Sequence, residues 1–385
     1  MRPLRLRRRG PGFVACLALL GTFVIENHCS LPVFEAQDRF DHLRLAHYYL
    51  RSGFSDRALT EARRALREDK DNVETLVVLA RVYQQTGEIE KAVDVLAGAI
   101  RLKPDDEGLF MLLHGVCVEA DRPDLAVEAF ERLFETSADN WHARRALGWA
   151  YERGDSTDVG RAARGLQLLE EAVADSAAVS AASLTFARHQ LVGAYLRRAR
   201  TEDAVKVVEA ILGSDPSDRF ALLTLGEYHL GRNNTEEAER LFDRLLVATK
   251  APSALAARIA GLWYDAGHRR HAIRYYELAL QEESPPATLL NNLAWTYAEE
   301  ELSLERAREL SLRAVKEEAD NVVFLDTYAE VLYRQGRTKQ AAALLRRAVE
   351  LEPEDGEHRN YLLQQLKKFS AASGFVVPGP PTSTE

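Results

Sequence analysis

The sequence has few of the residues from which covalent or metal-based frameworks are built. Among its 385 residues there are three cysteines and two methionines. Cys16 falls in an apolar N-terminal segment, which leaves Cys29 and Cys117, and these two provide neither a disulfide framework nor a CxxC zinc pair. The sequence also contains no Gly-rich phosphate loop, no HExxH motif and no nucleophile elbow. We therefore predict a protein without a metal, without a cofactor and without enzymatic activity.

Two histidines come nearest to a metal motif. His268 and His271 lie three residues apart in "HRRH". They fall in a predicted turn with two arginines between them, so a solvated basic turn is favoured over a metal site.

The N-terminal apolar run is short. "FVACLALLGTFVI", residues 13–25, follows five arginines and precedes Glu26. As a helix it would span about 20 Å, less than the roughly 30 Å of a hydrocarbon core. This pattern is typical of a secretion signal and predicts a signal peptide or membrane anchor over residues 1–30, then a linker over 31–38. No clean small-x-small cleavage site follows, so an uncleaved anchor, a mitochondrial-type presequence and a misassigned start codon remain alternatives.

Acidic charge dominates the rest of the chain. The formal net charge is −9, and removing the five arginines of residues 1–25, a segment without acidic residues, leaves −14 for the remainder. A composition of 46% hydrophobic and 28% charged residues is typical of a soluble folded protein. Because such an acidic body repels nucleic acid and anionic lipid, we predict no nucleic-acid partner and membrane contact only through the N-terminal segment.

A 34-residue period fills most of the chain. Gly87 separates two helical patterns, and Pro104 ends the second. The same layout recurs around Gly53, 34 residues earlier, and around Asp121, 34 residues later. In this frame the last unit ends at Asp355, and nine helix-turn-helix units begin at Arg39, Val73, Glu107, Trp141, Thr185, Arg219, Ser253, Ala287 and Val322.

Small residues recur at two places of this frame. An early place in the second helix holds Ala58, Ala92, Ala126, Gly165, Ala204, Ala238, Ala272, Ala307 and Ala341. The eighth place of the unit, in the first helix, holds Ala46, Ala80, Gly148, Gly226, Ala260, Ala294 and Ala329, with His114 and Val192 as exceptions. Two antiparallel helices approach closely only where neither carries a bulky side chain, so these places are expected at the contact within each hairpin.

This pattern resembles the tetratricopeptide repeat family. The family's large-large-small-aromatic first helix is matched by Leu290, Leu293, Ala294 and Tyr297, and its terminal proline by Pro104, Pro216 and Pro353. The resemblance covers residues 39–355. It implies an all-α, right-handed superhelical solenoid of about nine helix-turn-helix repeats.

The frame has one large insertion and a distinct C-terminal end. Ten extra residues accumulate between Trp141 and Thr185, where a surface loop is expected. Residues 356–369 place apolar side chains on one face and predict a C-terminal capping helix. Residues 370–385 are rich in Pro, Gly, Ser and Thr, which predicts a disordered tail.

The resemblance also implies where a partner would bind. First helices of the family line a concave groove that holds extended peptides or partner helices. The groove residues it implies here are His47, Arg81, Arg145, Trp149, His189, Glu227, Tyr264, Asn291, Trp295, Asp326 and Glu330. Neither the lysine–asparagine carboxylate clamp nor the asparagine ladder of specialised members occurs. Asn291 and Trp295, four residues apart, are expected together on the groove side, with packing of Trp295 against the adjacent unit as the alternative.

These observations predict a non-catalytic protein-interaction scaffold. A protein or peptide partner would lie in the concave groove, and the N-terminal segment would direct the protein to the periplasm or cell envelope, where it supports assembly of an envelope or secretion complex. Two alternatives remain. One is a cytosolic adaptor with a misassigned N-terminus, and the other is a non-catalytic subunit of a polysaccharide-handling or export system.

Overall fold

The computed structural model describes residues 41–154, 158–177, 179–250, 252–281 and 284–373. The predicted signal segment at 1–30, the linker at 31–38 and residues 374–385 of the predicted tail lie outside these residues. The described chain contains 19 helices and no strand. It divides into two compact units, an N-terminal unit that ends at Pro216 and a C-terminal unit that begins at Ser217.

The N-terminal unit contains α1 (His42–Arg51), α2 (Ser55–Glu68), α3 (Val73–Gln85), α4 (Ile89–Leu102), α5 (Glu107–Glu119), α6 (Pro123–Thr136), α7 (Trp141–Arg153), α8 (Val159–Ala174), α9 (Ala181–Arg197) and α10 (Thr201–Ser214). The C-terminal unit contains α11 (Arg219–Gly231), α12 (Thr235–Val247), α13 (Pro252–Asp265), α14 (Arg269–Ala279), α15 (Ala287–Glu299), α16 (Leu304–Glu317), α17 (Val322–Arg334), α18 (Thr338–Leu351) and α19 (Arg359–Ser373).

Side-chain caps fix the starts of several first helices. Asn72 accepts a hydrogen bond from the Thr75 amide at 2.9 Å, and Asn140 accepts one from the Ala143 amide at 2.8 Å. Such a cap satisfies one of the amides that a helix leaves without an intrahelical acceptor. Each asparagine stands one residue before the start of a unit in the repeat frame.

The fold is an all-α solenoid of helical hairpins. Consecutive helices pack in pairs, and within each unit first helices also contact one another, as α1 does with α3, α5 with α7 and α15 with α17. In every hairpin except the fourth, the turn carries a residue with left-handed backbone, which at Gly53 and Gly87 is a glycine with φ of 77° and 78°. Glycine adopts that conformation without steric cost, so the chain reverses within about three residues.

The small places of the frame lie where the paired helices touch. The eight alanines of the second-helix place are at most 1% exposed. At the first-helix place, a Cβ added to Gly226 would lie only 2.5 Å from Cε1 of the buried Phe242 ring. Gly148 and Gly165 face each other in the same way, with the Gly165 carbonyl oxygen 3.0 Å from a Cβ added to Gly148. Bulk is therefore excluded at the interface inside each hairpin.

The fifth hairpin begins earlier than the frame predicts. Its first helix, α9, starts at Ala181 rather than at Thr185, and the preceding helix α8 has 16 residues. The connection between α7 and α8 runs over residues 154–158, compared with three-residue turns such as 52–54 and 86–88. The extra residues are thus divided between longer connections and longer helices, which the sequence period alone does not specify.

The last helix covers the end of the C-terminal unit. It runs from Arg359 to Ser373, so it begins three residues later than the predicted start at 356 and includes residues 370–373 of the predicted tail. Leu362 and Phe369 are fully buried. The Phe369 ring stacks on Tyr333 of α17 with centroids 4.2 Å apart. This contact buries an apolar surface of the last hairpin, as a cap must.

Candidate partner-binding surface

The residues implied as groove residues lie on the same surface of their helical hairpins. We call this surface the first-helix face and define it by the fifth, ninth and twelfth residues of the first helices, counted in the repeat frame. Arg81 and Glu227 are exposed there, and five others are half-buried, namely His47, Trp149, His189, Tyr264 and Trp295. The remaining four are buried, namely Arg145, Asn291, Asp326 and Glu330.

The burial of these four corrects the expectation that they line an open groove. Asn291 is only 5% exposed and Asp326 only 3%. Arg145, Asn291 and Asp326 stand at the fifth place of their first helices, where neighbouring helices enclose them. The same place is 44% exposed at Met111, so the repeat frame alone does not decide burial there. The pair of Asn291 with an exposed Trp295 is therefore not present as predicted, because the amide is enclosed.

Arg145 is the centre of a buried polar cluster. Its guanidinium lies 2.9 Å from Glu107 of α5 and donates a hydrogen bond to Gln190 of α9 at 2.8 Å. The Phe186 ring covers it at 4.9 Å. Burial lowers the pKa of Arg145, and the Glu107 carboxylate acts in the opposite direction. Because a buried charge needs a partner, this contact joins three successive first helices rather than offering a free cation.

Trp149 packs against a neutral histidine. Its ring centroid lies 3.7 Å from that of His114, and the Arg153 guanidinium lies 5.3 Å from the Trp149 ring. Burial, and then the charges of Arg153 and Arg145, lower the pKa of His114 to about 3. Neither ring nitrogen of His114 has a hydrogen-bond partner among the described residues. His114, an exception at the small place of the frame, therefore serves as a packing surface for the tryptophan.

Trp295 belongs to a hydrogen-bonded chain. Its indole N–H donates to the Tyr264 hydroxyl at 3.0 Å, and that hydroxyl donates to Glu299 at 2.7 Å. Arg269 donates to the same Glu299 oxygen at 2.9 Å and lies 3.9 Å from the Tyr264 ring centroid. Burial, and then Glu299, raise the pKa of Tyr264 to about 12. The polar group of Trp295 is thus engaged, and only its ring face is left for a partner.

The two acidic residues of α17 lie under the capping helix. Glu330 accepts a hydrogen bond from Arg334 at 2.7 Å and lies 3.8 Å from Lys368 of α19. Asp326 accepts a hydrogen bond from Tyr361 of α19, and burial followed by the charge of Glu330 raises the pKa of Asp326 to about 7. These carboxylates therefore hold α19 in place and are not open to a partner.

Two glycines of the first-helix face stand at the same place of the repeat frame as the tryptophans. Gly115 precedes Trp149 by one unit at the ninth place, and Gly261 precedes Trp295 in the same way. A Cβ built on either glycine would meet no atom within 4 Å. In the repeat frame, the ninth place of the first helix before each half-buried ring therefore carries no side chain. The implied groove residues omit both glycines, although the ninth place of the frame carries the signal.

Metal ligands are not assembled on this surface. Within the described ranges, no group of three or more His, Cys, Asp or Glu side chains could hold an ion. His271 stacks on Trp263 with centroids 4.3 Å apart, and His268 lies 5.5 Å from the same ring. Burial raises the pKa of the Cys117 thiol to about 12. The described helices also include none that is long and apolar enough to cross a membrane.

Stacked helical hairpins with small residues at a fixed period define a helical-repeat solenoid. Three family models of the tetratricopeptide repeat match the chain, at residues 49–113, 190–254 and 322–365. The chain is a tetratricopeptide-repeat protein. Repeats of this family support a role as a protein-interaction scaffold, a class that is generally non-catalytic. No curated protein matches the sequence significantly.

Solved structures with a similar chain path have low sequence identity to this protein. One is a human IFIT1 dimer with m7Gppp-AAAA, which is 18% identical at a TM-score of 0.43, with 77% of this chain and 68% of that chain covered. Another is YrrB, described as a TPR protein with an unusual peptide-binding site, at 19% identity, a TM-score of 0.31 and coverage of 48% and 90%. A third is the P58(IPK) TPR domain, at 16% identity, a TM-score of 0.28 and coverage of 86% and 98%.

Proposed function

We propose that this protein is an exported or membrane-tethered scaffold that holds a peptide or helix of a partner protein on its first-helix face. The observation that carries the proposal is the succession, at the ninth place of consecutive first helices, of an open glycine and a half-buried tryptophan, namely Gly115 then Trp149 and Gly261 then Trp295. An aromatic ring supplies apolar contact area, and bare backbone on the preceding first helix lets a partner chain approach closely. By this means the protein would support assembly of an envelope or secretion complex.

The export part of the proposal rests on the N-terminal sequence. Basic residues followed by a short apolar run are typical of a secretion signal. Cell fractionation followed by N-terminal sequencing of the mature protein tests it. We expect either removal of the first ~30 residues or an intact chain in the membrane fraction. A soluble cytoplasmic chain that still begins at Met1 would favour the cytosolic adaptor instead.

Photo-crosslinking tests the binding surface. A benzophenone amino acid at Arg81 or Glu227 would report contacts of the first-helix face, whereas Arg67 and Val247 are exposed control positions on second helices. We expect partner crosslinks in living cells from the first pair of positions.

The tryptophans provide the second arm of the same experiment. Combining Trp149→Ala with Trp295→Ala should reduce the crosslink yield from Arg81 and Glu227 severalfold, because hot-spot aromatic residues dominate such interfaces. Crosslinks obtained only from Arg67 and Val247 would move recognition to the second helices and reject the proposed surface.

A further inference from the structure

A cavity of about 480 Å³ opens at the irregular fourth hairpin, in the N-terminal unit. It lies between the end of α7, the start of α8 and the end of α9, and its lining is Tyr151, Glu152, Gly154, Val159, Ala162, Ala163, Arg197 and Arg198. The longer connection between α7 and α8 sets this hairpin apart from its neighbours. The walls are therefore aliphatic and aromatic on the α7 and α8 side and cationic on the α9 side.

One buried carboxylate serves both arginines of this cavity. Arg197 donates to Oε2 of Glu152 at 3.2 Å, and Arg198 donates to the same oxygen. Arg198 also donates to the Ala162 carbonyl at 2.6 Å. The Glu152 side chain is only 1% exposed, and its Oε1 has no hydrogen-bond partner among the described residues. Arg198 is thus held by two acceptors, whereas one contact of Arg197 is to the Glu152 carboxylate, and a guanidinium has five N–H donors.

A third guanidinium adds to the positive charge. Arg153 follows Glu152 on α7, and burial, followed by the charge of Arg197, lowers the pKa of Arg153, so the charges of the two guanidinium groups act on each other. Among the described residues of this group, Glu152 is the one carboxylate that faces Arg153, Arg197 and Arg198, which leaves two excess positive charges. Such an excess is notable in a chain with a net charge of −9.

The cationic group is continuous with the proposed binding surface. The Arg153 guanidinium lies 5.3 Å from the Trp149 ring, on the same helix as Glu152. The neighbouring arginines Arg161 and Arg164 are instead matched by carboxylates, Glu131 at 3.4 Å and Glu171 at 3.2 Å. An incoming anion would therefore find its complement at Arg153 and Arg197, between the tryptophan and the cavity.

We propose that this place binds an acidic peptide segment whose carboxylates pair with Arg153 and Arg197 and whose adjacent aliphatic side chain enters the cavity. The inference rests on the proposed function, since it names the class of partner for the first-helix face of the N-terminal unit. A carboxylate suits the guanidinium fork, and the walls formed by Tyr151, Val159 and Ala162 suit a neighbouring apolar side chain. A long polyanion such as RNA fits less well, because the acidic charge of the remaining chain repels it.

Fluorescence polarisation with the full-length protein tests this assignment. The probes are a labelled short peptide of Asp, Glu and Leu, a matched peptide of Asn, Gln and Leu, and a capped poly-A oligonucleotide. We expect the acidic peptide to bind in a salt-sensitive manner and the amide peptide to bind at least roughly tenfold more weakly, which corresponds to about 1.4 kcal/mol.

Arginine variants supply the matched controls. Combining Arg153→Gln with Arg197→Gln should weaken binding of the acidic peptide at least roughly tenfold. The double substitution Arg67→Gln and Arg101→Gln removes the same charge from exposed positions on α2 and α4 and should leave the affinity unchanged. Circular dichroism melting of each variant confirms that it is folded.

Each remaining outcome decides between specific alternatives. Equal binding of the acidic and amide peptides, lost in Trp149→Ala but not in the arginine variant, would overturn this inference and leave the proposed function standing. Absence of binding to the acidic peptide would also overturn it. Tighter binding of the oligonucleotide, lost in the Arg153 and Arg197 variant, would replace the peptide with a nucleic acid.

Discussion

Asp326 and Glu330 show how stacking changes the chemistry of single residues. One turn apart on α17, both are buried, and Asp326 has its pKa raised to about 7 by burial and by Glu330. Because the folded-state pKa exceeds the ordinary value of 3.8, the folded state binds a proton more tightly than the unfolded chain. The associated stability is therefore fully present below about pH 4 and is lost as the pH rises to about 7.

A neutral isostere should abolish this dependence. We expect Asp326→Asn to raise the free energy of unfolding at about pH 8.5 by an amount on the order of a few kcal/mol, and to have little effect at about pH 4. Urea unfolding of both proteins at the two pH values measures the difference. Glu317→Gln, which changes an exposed carboxyl on α16, is the control and should show no such dependence. A gain that is equal at both pH values would contradict the assigned protonation.

The sequence could identify some of the site residues but not others. The frame places Trp149 and Trp295 on the first-helix face, where the structure has them half-buried. It could not indicate that Asn291 is enclosed, with Oδ1 lacking a hydrogen-bond partner in the described part of the chain, because its burial depends on how closely adjacent first helices approach. Arg153 lies at the thirteenth residue of its unit, outside the implied groove residues, and only its distance to the Trp149 ring and the effect of the Arg197 charge on its pKa draw attention to it.

At the scale of the helix pair, small residues explain most of what the sequence predicts about the fold. Alanine or glycine at two places fixes which faces touch, and first helices begin at Val73, Glu107 and Ala287, residues at which the predicted units also begin. The start of α9 differs from the frame because the ten inserted residues can lengthen either the helices or the connections. The period after the insertion is the same in both cases. Periodicity specifies which faces pack, but it does not specify where an insertion is absorbed.

Two glycine substitutions in first helices should have opposite effects. In Gly226→Ala the new Cβ would lie 2.5 Å from Cε1 of Phe242, a fully buried ring. We expect a loss of about 1–3 kcal/mol from overpacking. In Gly261→Ala the new Cβ would meet nothing within 4 Å, so the helix-forming tendency of alanine should add about 0.5–1 kcal/mol. Thermal unfolding compares the variants with the parent. If Gly226→Ala proved as stable as Gly261→Ala, the close contact within the hairpin would be refuted.

At the scale of the whole molecule, stacked hairpins distribute stability through neighbouring contacts. Each hairpin covers the apolar face of the next within its unit, and at the C-terminal end α19 covers α17 and α18 with Leu362, Leu366 and Phe369. In such an arrangement a defect at one end is transmitted only through successive interfaces. Truncation after Asp355 removes α19 and uncovers the apolar surface it buries together with Asp326 and Glu330.

Hydrogen exchange can follow how far that defect spreads. We expect truncation after Asp355 to accelerate amide exchange by orders of magnitude in α17 and α18, less in α15 and α16, and not measurably in α1 to α6, because few contacts reach beyond adjacent hairpins. Truncation after Ser373 removes only residues beyond α19 and should leave all helices protected. Uniform acceleration in every helix would show instead that the chain unfolds as one cooperative unit, so the gradient directly tests whether stability is local in this repeat.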